Sequence, residues 1–176
     1  MKPKVKHCDF FGTVNPASGL RIPINAVQKW NSKDKQSVYS HSGIIMNPDG
    51  DIIEALWEVE ANNLFTRYAG CPVIIARYVG LTDLAWEDAA LKLMDKIGQN
   101  YPWWRLGLFL YPPVARRLNL SNKEVCSELV AKVEWWIGAR HECWAGTCPD
   151  TLADEWHRWR DFEVVFEGLL TTTGTR

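Results

Sequence analysis

Apolar residues recur at helical spacing in SNKEVCSELVAKVEWWIG, residues 121–138, where Val125, Leu129, Val133 and Trp136 form a stripe that Val130 and Ile137 widen. That spacing predicts a helix buried along one face and closed by Gly138. Ser121 followed three residues later by Glu124 has the form of a capping box, which starts the helix just before Cys126. A different rhythm governs residues 38–56, VYSHSGIIMNPDGDIIEAL, in which two apolar runs flank Asn47-Pro48-Asp49-Gly50. This is a hairpin pattern. With the turn centred on Pro48-Asp49, Met46 faces Asp51, Ile44 faces Ile53 and Gly43 faces Glu54, and strand alternation puts His41 on the face of Gly43 and Glu54. His41 and Glu54 then become diagonal cross-strand neighbours with backbones roughly 7–8 Å apart. Gly43, lacking a side chain, is expected to leave space for the carboxylate.

The remaining elements follow from punctuation and alternation. Residues 5–14 read as a short strand ending at Gly12, residues 73–78 as another, and residues 161–168 as a last one. Ile24, Val27 and Trp30 suggest a short helix after Pro23. Thr82 or Asp83 caps a helix in which Trp86, Ala90, Leu93 and Ile97 share a face, with Gly98 closing it. Residues 98–120 are apolar but broken by Pro102, Pro112 and Pro113, the pattern of an irregular wrap. Asp150 or Thr151 opens a final short helix through Trp156. Strands and helices thus mix in an α+β chain, and its length of 176 residues fits one domain over 1–168 with a flexible tail at 169–176.

Composition narrows the function classes. Twenty Lys+Arg against 21 Asp+Glu leave a formal net charge of −1, which offers no electrostatic footprint for nucleic acid. The N-terminus MKPKVKHCDFFG is basic without an apolar core, and no stretch is long enough to span a membrane, so a cytoplasmic location is expected. Ten tryptophans supply core and rim packing, with a share left over to line a substrate groove. Five cysteines at irregular spacings argue against a disulfide framework. Cys143, Cys148, His141 and His157 are all zinc-ligand types, but their spacing matches no finger pattern, and two free or transiently paired surface thiols fit better. No cofactor is called for.

Chemistry concentrates on Cys126. A free cysteine is most often a small buried hydrophobe, and a lone histidine carries little specificity. At a helix start, however, the positive end of the dipole favours a thiolate. With His41 as base and Glu54 to orient it, the three residue types of nucleophilic thiol catalysis are present. The imidazole would hold the thiolate and later protonate a leaving amine, while backbone N–H groups at the helix start would face the oxyanion.

SHSGIIM leading into IIEAL, then GQNYPWW, VCSELV and CPDTLAD, in that order, resemble the circularly permuted papain-fold thiol hydrolases, the NlpC-like superfamily and especially its YiiX/YaeF branch. The likeness covers roughly residues 8–168. It implies a permuted papain-like fold, a central antiparallel sheet packed against helices with the nucleophile at a helix N-terminus. It also implies a strand-borne histidine at His41, a carboxylate at Glu54 and the nucleophile at Cys126. Tyr101 is expected beside the pocket, with Trp103 and Ser40 as further substrate-lining candidates, and Pro149-Asp150 opens a helix. The expected activity is hydrolysis of an amide, in a cell-wall peptide or another small peptide-like substrate, through an acyl-enzyme. Acyl transfer or lipid-amide chemistry on the same trio is the catalytic alternative, and a non-catalytic binding module that has kept the fold is the other. The tryptophan pairs and the cysteine-bearing loop at 139–148 depart from the family pattern and bear on substrate preference.

Overall fold

A computed structural model describes residues 2–14, 38–100 and 125–171. Its frame is a six-stranded, wholly antiparallel sheet. In chain order the strands are β1 (Asp9–Thr13), β2 (His41–Ile45), β3 (Asp51–Ala55), β4 (Val59–Asn63), β5 (Pro72–Tyr78) and β6 (Phe162–Leu169). They lie side by side as β4-β3-β2-β1-β5-β6. Among the described residues four helices accompany them: α1 (Leu64–Arg67), α2 (Asp83–Met94), α3 (Cys126–Trp136) and α4 (Pro149–Arg158). The architecture is therefore α+β.

Side-chain alternation splits the apolar residues between the two faces of the sheet. Phe10, Ile44, Ile53 and Ile74 join Leu129, Val130 and Val133 of α3 and Trp156 of α4 in one core. Their neighbours Phe11, Ile45, Ile52 and Ile75 join Leu64, Phe65 and Tyr68 in another. Helix α3 is sunk so deeply that Glu128, Lys132 and Glu134 are buried beside the apolar stripe, leaving Trp135 as its exposed member. Burying each large side chain of that stripe contributes about 1.5–3 kcal/mol.

The β2–β3 hairpin has the register expected from its sequence, with Gly43 opposite Glu54 and Ile44 opposite Ile53. Its turn is closed by the Gly50 N–H donating to the Asn47 carbonyl at 3.1 Å, and the Met46 N–H donates to the Asp51 carbonyl at 2.7 Å. The Asn47 side-chain oxygen accepts from the N–H groups of Asp49 and Asp51, at 3.0 and 3.2 Å. Gly50 sits at φ +90°, where a Cβ would also lie 2.3 Å from the Phe65 ring.

Three local expectations change. Helix α3 begins at Cys126 with Val125 in extended backbone at its N-cap, one turn later than a Ser121 cap would put it; Ser121 and Glu124 lie outside the described residues. The capping carboxylate is instead Glu128, which accepts from the Val125 N–H at 3.3 Å and from the Gly146 N–H at 2.9 Å. Helix α2 is capped by Thr82 as expected, but it buries Ala89 and Leu93 and leaves Ile97 exposed. Its end tightens through bonds from Lys96 to Leu93 and Ile97 to Met94, which turn the chain before Ile97 can rejoin the stripe.

Candidate active site

The first residue of α3 and the first residue of β2 meet. Cys126 and His41 share a side-chain hydrogen bond and a Coulombic attraction, and Nε2 of His41 bonds Oε2 of Glu54 at 2.7 Å. Since Glu54 occupies Nε2, Nδ1 is the nitrogen left for the sulfur. Sulfur and carboxylate therefore meet on one imidazole. All three are buried, with 6, 3 and 0% of their surfaces exposed.

Each member is placed by ordinary folding forces. Packing of Leu129, Val130 and Val133 against Ile44 and Ile53 sets α3 on the hairpin, which carries Cys126 to the strand end bearing His41. The N–H groups of Cys126, Ser127 and Glu128 precede the first intrahelical bond, from the Leu129 N–H to the Val125 carbonyl at 2.9 Å. They are thus the donors at the helix mouth. Ser127 Oγ donates to the Thr147 carbonyl at 2.6 Å and, with Glu128, pins residues 146–147 to this first turn. On the strand side, Oδ1 of Asp150 accepts from the N–H groups of Val38 and Tyr39 at 2.9 and 3.3 Å, fixing the chain just before His41. The CPDTLAD segment thus bears on the site through Asp150.

Glu54 is held by residues that sequence reasoning did not single out. Asn62 Nδ2 donates to its Oε1 at 2.9 Å, the Tyr68 hydroxyl donates to Oε2 at 2.5 Å, and Arg67 Nε lies 3.5 Å from Oε1. Burial alone would push the Glu54 carboxyl up; His41, Tyr68 and Arg67 outweigh it, and the group is held below the usual range. For His41, burial pulls the imidazole down, but Cys126 and then Glu54 raise it to about 10. The space beside Gly43 is not left for the carboxylate. Phe11 fills it, its ring 2.6 Å from where a Gly43 Cβ would be and edge-on to His41 at 6.3 Å between centroids. This follows from β1–β2 pairing, which sets Phe11 directly opposite Gly43.

Of the other candidates, Ser40 is buried immediately before His41, its N–H donating to the Thr13 carbonyl at 3.0 Å. Tyr101 and Trp103 lie outside the described residues. All five cysteines are free thiols, Cys8 among them buried; burial first, then Asp9 and Glu134, push the Cys8 thiol well above the usual range. Among the described residues no three His, Cys, Asp or Glu side chains are grouped to hold a metal ion, and His157 instead pairs with Glu167 at 3.3 Å. No described helix is long and apolar enough to cross a membrane.

No protein-family model and no curated protein matches the chain. Among solved structures, that of the metalloprotein YiiX from Escherichia coli O157:H7 is similar at a TM-score of 0.55 and 18% sequence identity, over 96% of this chain and 90% of that one. The chain thus shares the fold of YiiX.

Proposed function

We propose that this chain is a cysteine hydrolase that cleaves an amide bond through an acyl-enzyme, with Cys126 as nucleophile, His41 as acid and base, and Glu54 as the group that orients the imidazole. The observation that carries the reading is the convergence on His41: Glu54 bonds its Nε2, and Cys126 interacts with the same imidazole. A buried histidine needing only structural satisfaction would not require a thiol beside it as well as a carboxylate. On this reading the fold is the permuted papain-like one, and the likeness to YiiX agrees with it.

The chemistry follows from the charge balance. The thiolate attacks the amide carbon, the carbonyl becomes an oxyanion facing the N–H groups at the start of α3, and the imidazolium delivers its proton to the leaving amine as the C–N bond breaks. A thioester on Cys126 results. Acylation removes the sulfur's charge, the largest upward influence on His41, so the imidazole that has given up its proton is less basic than before. It can then take a proton from water as the oxygen attacks the thioester, releasing the acid and restoring the thiolate–imidazolium pair. YiiX is described as a metalloprotein, but the described residues here do not group as a metal site, and no step passes through a metal.

The substrate class proposed is a cell-wall peptide or another small peptide-like amide. Incubation with muropeptide fragments should give cleavage and a transient acyl adduct on Cys126 by mass spectrometry, both lost in Cys126→Ala. Equal turnover by Cys126→Ala would sink the mechanism. Adduct formation with acyl-lipid amides or esters alone would move the assignment to lipid acyl chemistry.

A further inference from the structure

Both oxygens of Glu54 are doubly engaged, and the two differ in what engages them. Oε1 takes Asn62 of β4 and Arg67 at the end of α1. Oε2 takes His41 and the Tyr68 hydroxyl. A carboxylate has about four acceptor positions; hydrogen bonds fill three of them here, and Arg67 stands 3.5 Å from Oε1 as an ion pair. Asn62 Nδ2 and Arg67 also reach Glu60, at 2.8 and 3.5 Å. Glu60 stands directly opposite Glu54 in the β3–β4 pair, so those two groups are shared with a second negative charge. Tyr68 bonds Oε2, the oxygen that faces the imidazole. Its ring is fully buried and packed against Phe11 and His41, at 5.7 and 6.0 Å between centroids.

We infer that Tyr68 is a positioning residue of this site: its hydroxyl fixes Oε2 of Glu54 on Nε2 of His41. The inference rests on the proposed roles of Cys126, His41 and Glu54. Burial and the neighbouring Glu54 push the phenol far above its ordinary range, so it remains a donor. Phenol donors to carboxylates are strong, charge-assisted bonds, and the groups facing Glu54 from the packed elements are His41, Glu60, Asn62, Arg67 and Tyr68.

The test is a titration of the Glu54 carboxyl in the full chain, carried on carboxyl-labelled glutamate with the signal assigned through Glu54→Gln. Three proteins are compared: wild type, Tyr68→Phe, and the chain with 3-fluorotyrosine at position 68. Loss of the hydroxyl should weaken the carboxyl's acidity by about tenfold, as expected for a hydrogen bond to a charged group. The more acidic fluorophenol should shift it the opposite way while leaving the packing almost unchanged. Coincident midpoints for tyrosine and fluorotyrosine would reduce Tyr68 to a space-filling ring and overturn the inference, even if Tyr68→Phe folds poorly. In parallel, the acid limb of Cys126 alkylation by iodoacetamide should move to higher pH in Tyr68→Phe. A wild-type Cys126 that resists iodoacetamide would remove the functional reading, while the carboxyl titration would still decide whether Tyr68 holds Glu54.

Discussion

Gly43→Ala is the smallest change that should disturb the site without touching a reacting group. The added Cβ would lie 2.6 Å from Cε1 and 2.8 Å from Cζ of Phe11, and 3.0 Å from the Ile53 carbonyl oxygen. Carbon atoms in good contact are about 3.5–4.0 Å apart, so the overlap with the ring is about 1 Å. Phe11 has nowhere to go: it is fully buried, and Tyr68 and His41 lie beside it. Backbone blocks the other side. Overpacking of this kind costs about 1–3 kcal/mol, and the upper part of that range applies because a main-chain oxygen cannot rotate away. For an m-value of about 2 kcal/mol per molar, the urea midpoint should fall by roughly 1 M. Iodoacetamide alkylation of Cys126 should also slow, because the displaced ring presses on the imidazole. Combining Gly43→Ala with Phe11→Leu should recover part of both losses by shortening the ring's reach. An unchanged urea midpoint in Gly43→Ala, or a double variant weaker than the sum of the singles, would refute this steric account.

The folded His41 imidazole, at about 10, is more basic than an unfolded one at 6.5. Its contribution to stability is therefore complete below pH 6.5 and is lost as pH rises through about 10. Urea midpoints across that window should show the decline, and in Cys126→Ser the His41 midpoint by NMR should drop well below about 10. Arg140 bonds the wholly buried Glu134 at 2.8 Å and also reaches Glu155. Arg140→Ala should cost about 3–5 kcal/mol in chemical denaturation by leaving a buried charge uncompensated, and Glu134→Gln with Arg140→Met should recover most of it. Leu129 is fully buried between α3 and the hairpin, so Leu129→Ala should cost about 2–5 kcal/mol. It should also slow Cys126 alkylation while leaving the NMR signature of the His41–Glu54 bond in place; loss of that signature in the folded variant would count against α3 acting on the sulfur alone.

The hairpin was legible because a four-residue turn leaves one parity, and parity decides which side chains share a face. That was enough to set His41 beside Glu54 with the pairing found. Helix α3 was legible from its apolar stripe, but its first residue was not: Val125 is an apolar N-cap with no side-chain acceptor, and the carboxylate that serves the helix start lies inside it, at Glu128. Strand β4 escaped notice for another reason. Its sequence VEANN lacks the apolar alternation that marks a half-buried strand. The available signal was polar alternation, Glu58, Glu60, Asn62, and its purpose shows only when Asn62 is seen donating to Glu54. The Gly43 expectation failed because spacing within one hairpin is silent about β1, whose Phe11 occupies the gap.

These differences divide the site into two halves with different origins. His41, Glu54, Asn62, Arg67 and Tyr68 fall within a continuous run of strands β2 to β4 and the turn of α1, so the imidazole–carboxylate half is built by local pairing. Local contacts cost little loop entropy. The sulfur arrives from far along the chain, delivered by the apolar stripe of α3 against Ile44 and Ile53. The same burial that docks α3 also desolvates the imidazole, so the force that brings the thiol to His41 sets how strongly the imidazole's charge depends on it. Packing and charge are therefore coupled here: a looser helix would both move the sulfur and admit water to His41, weakening the electrostatic tie between them.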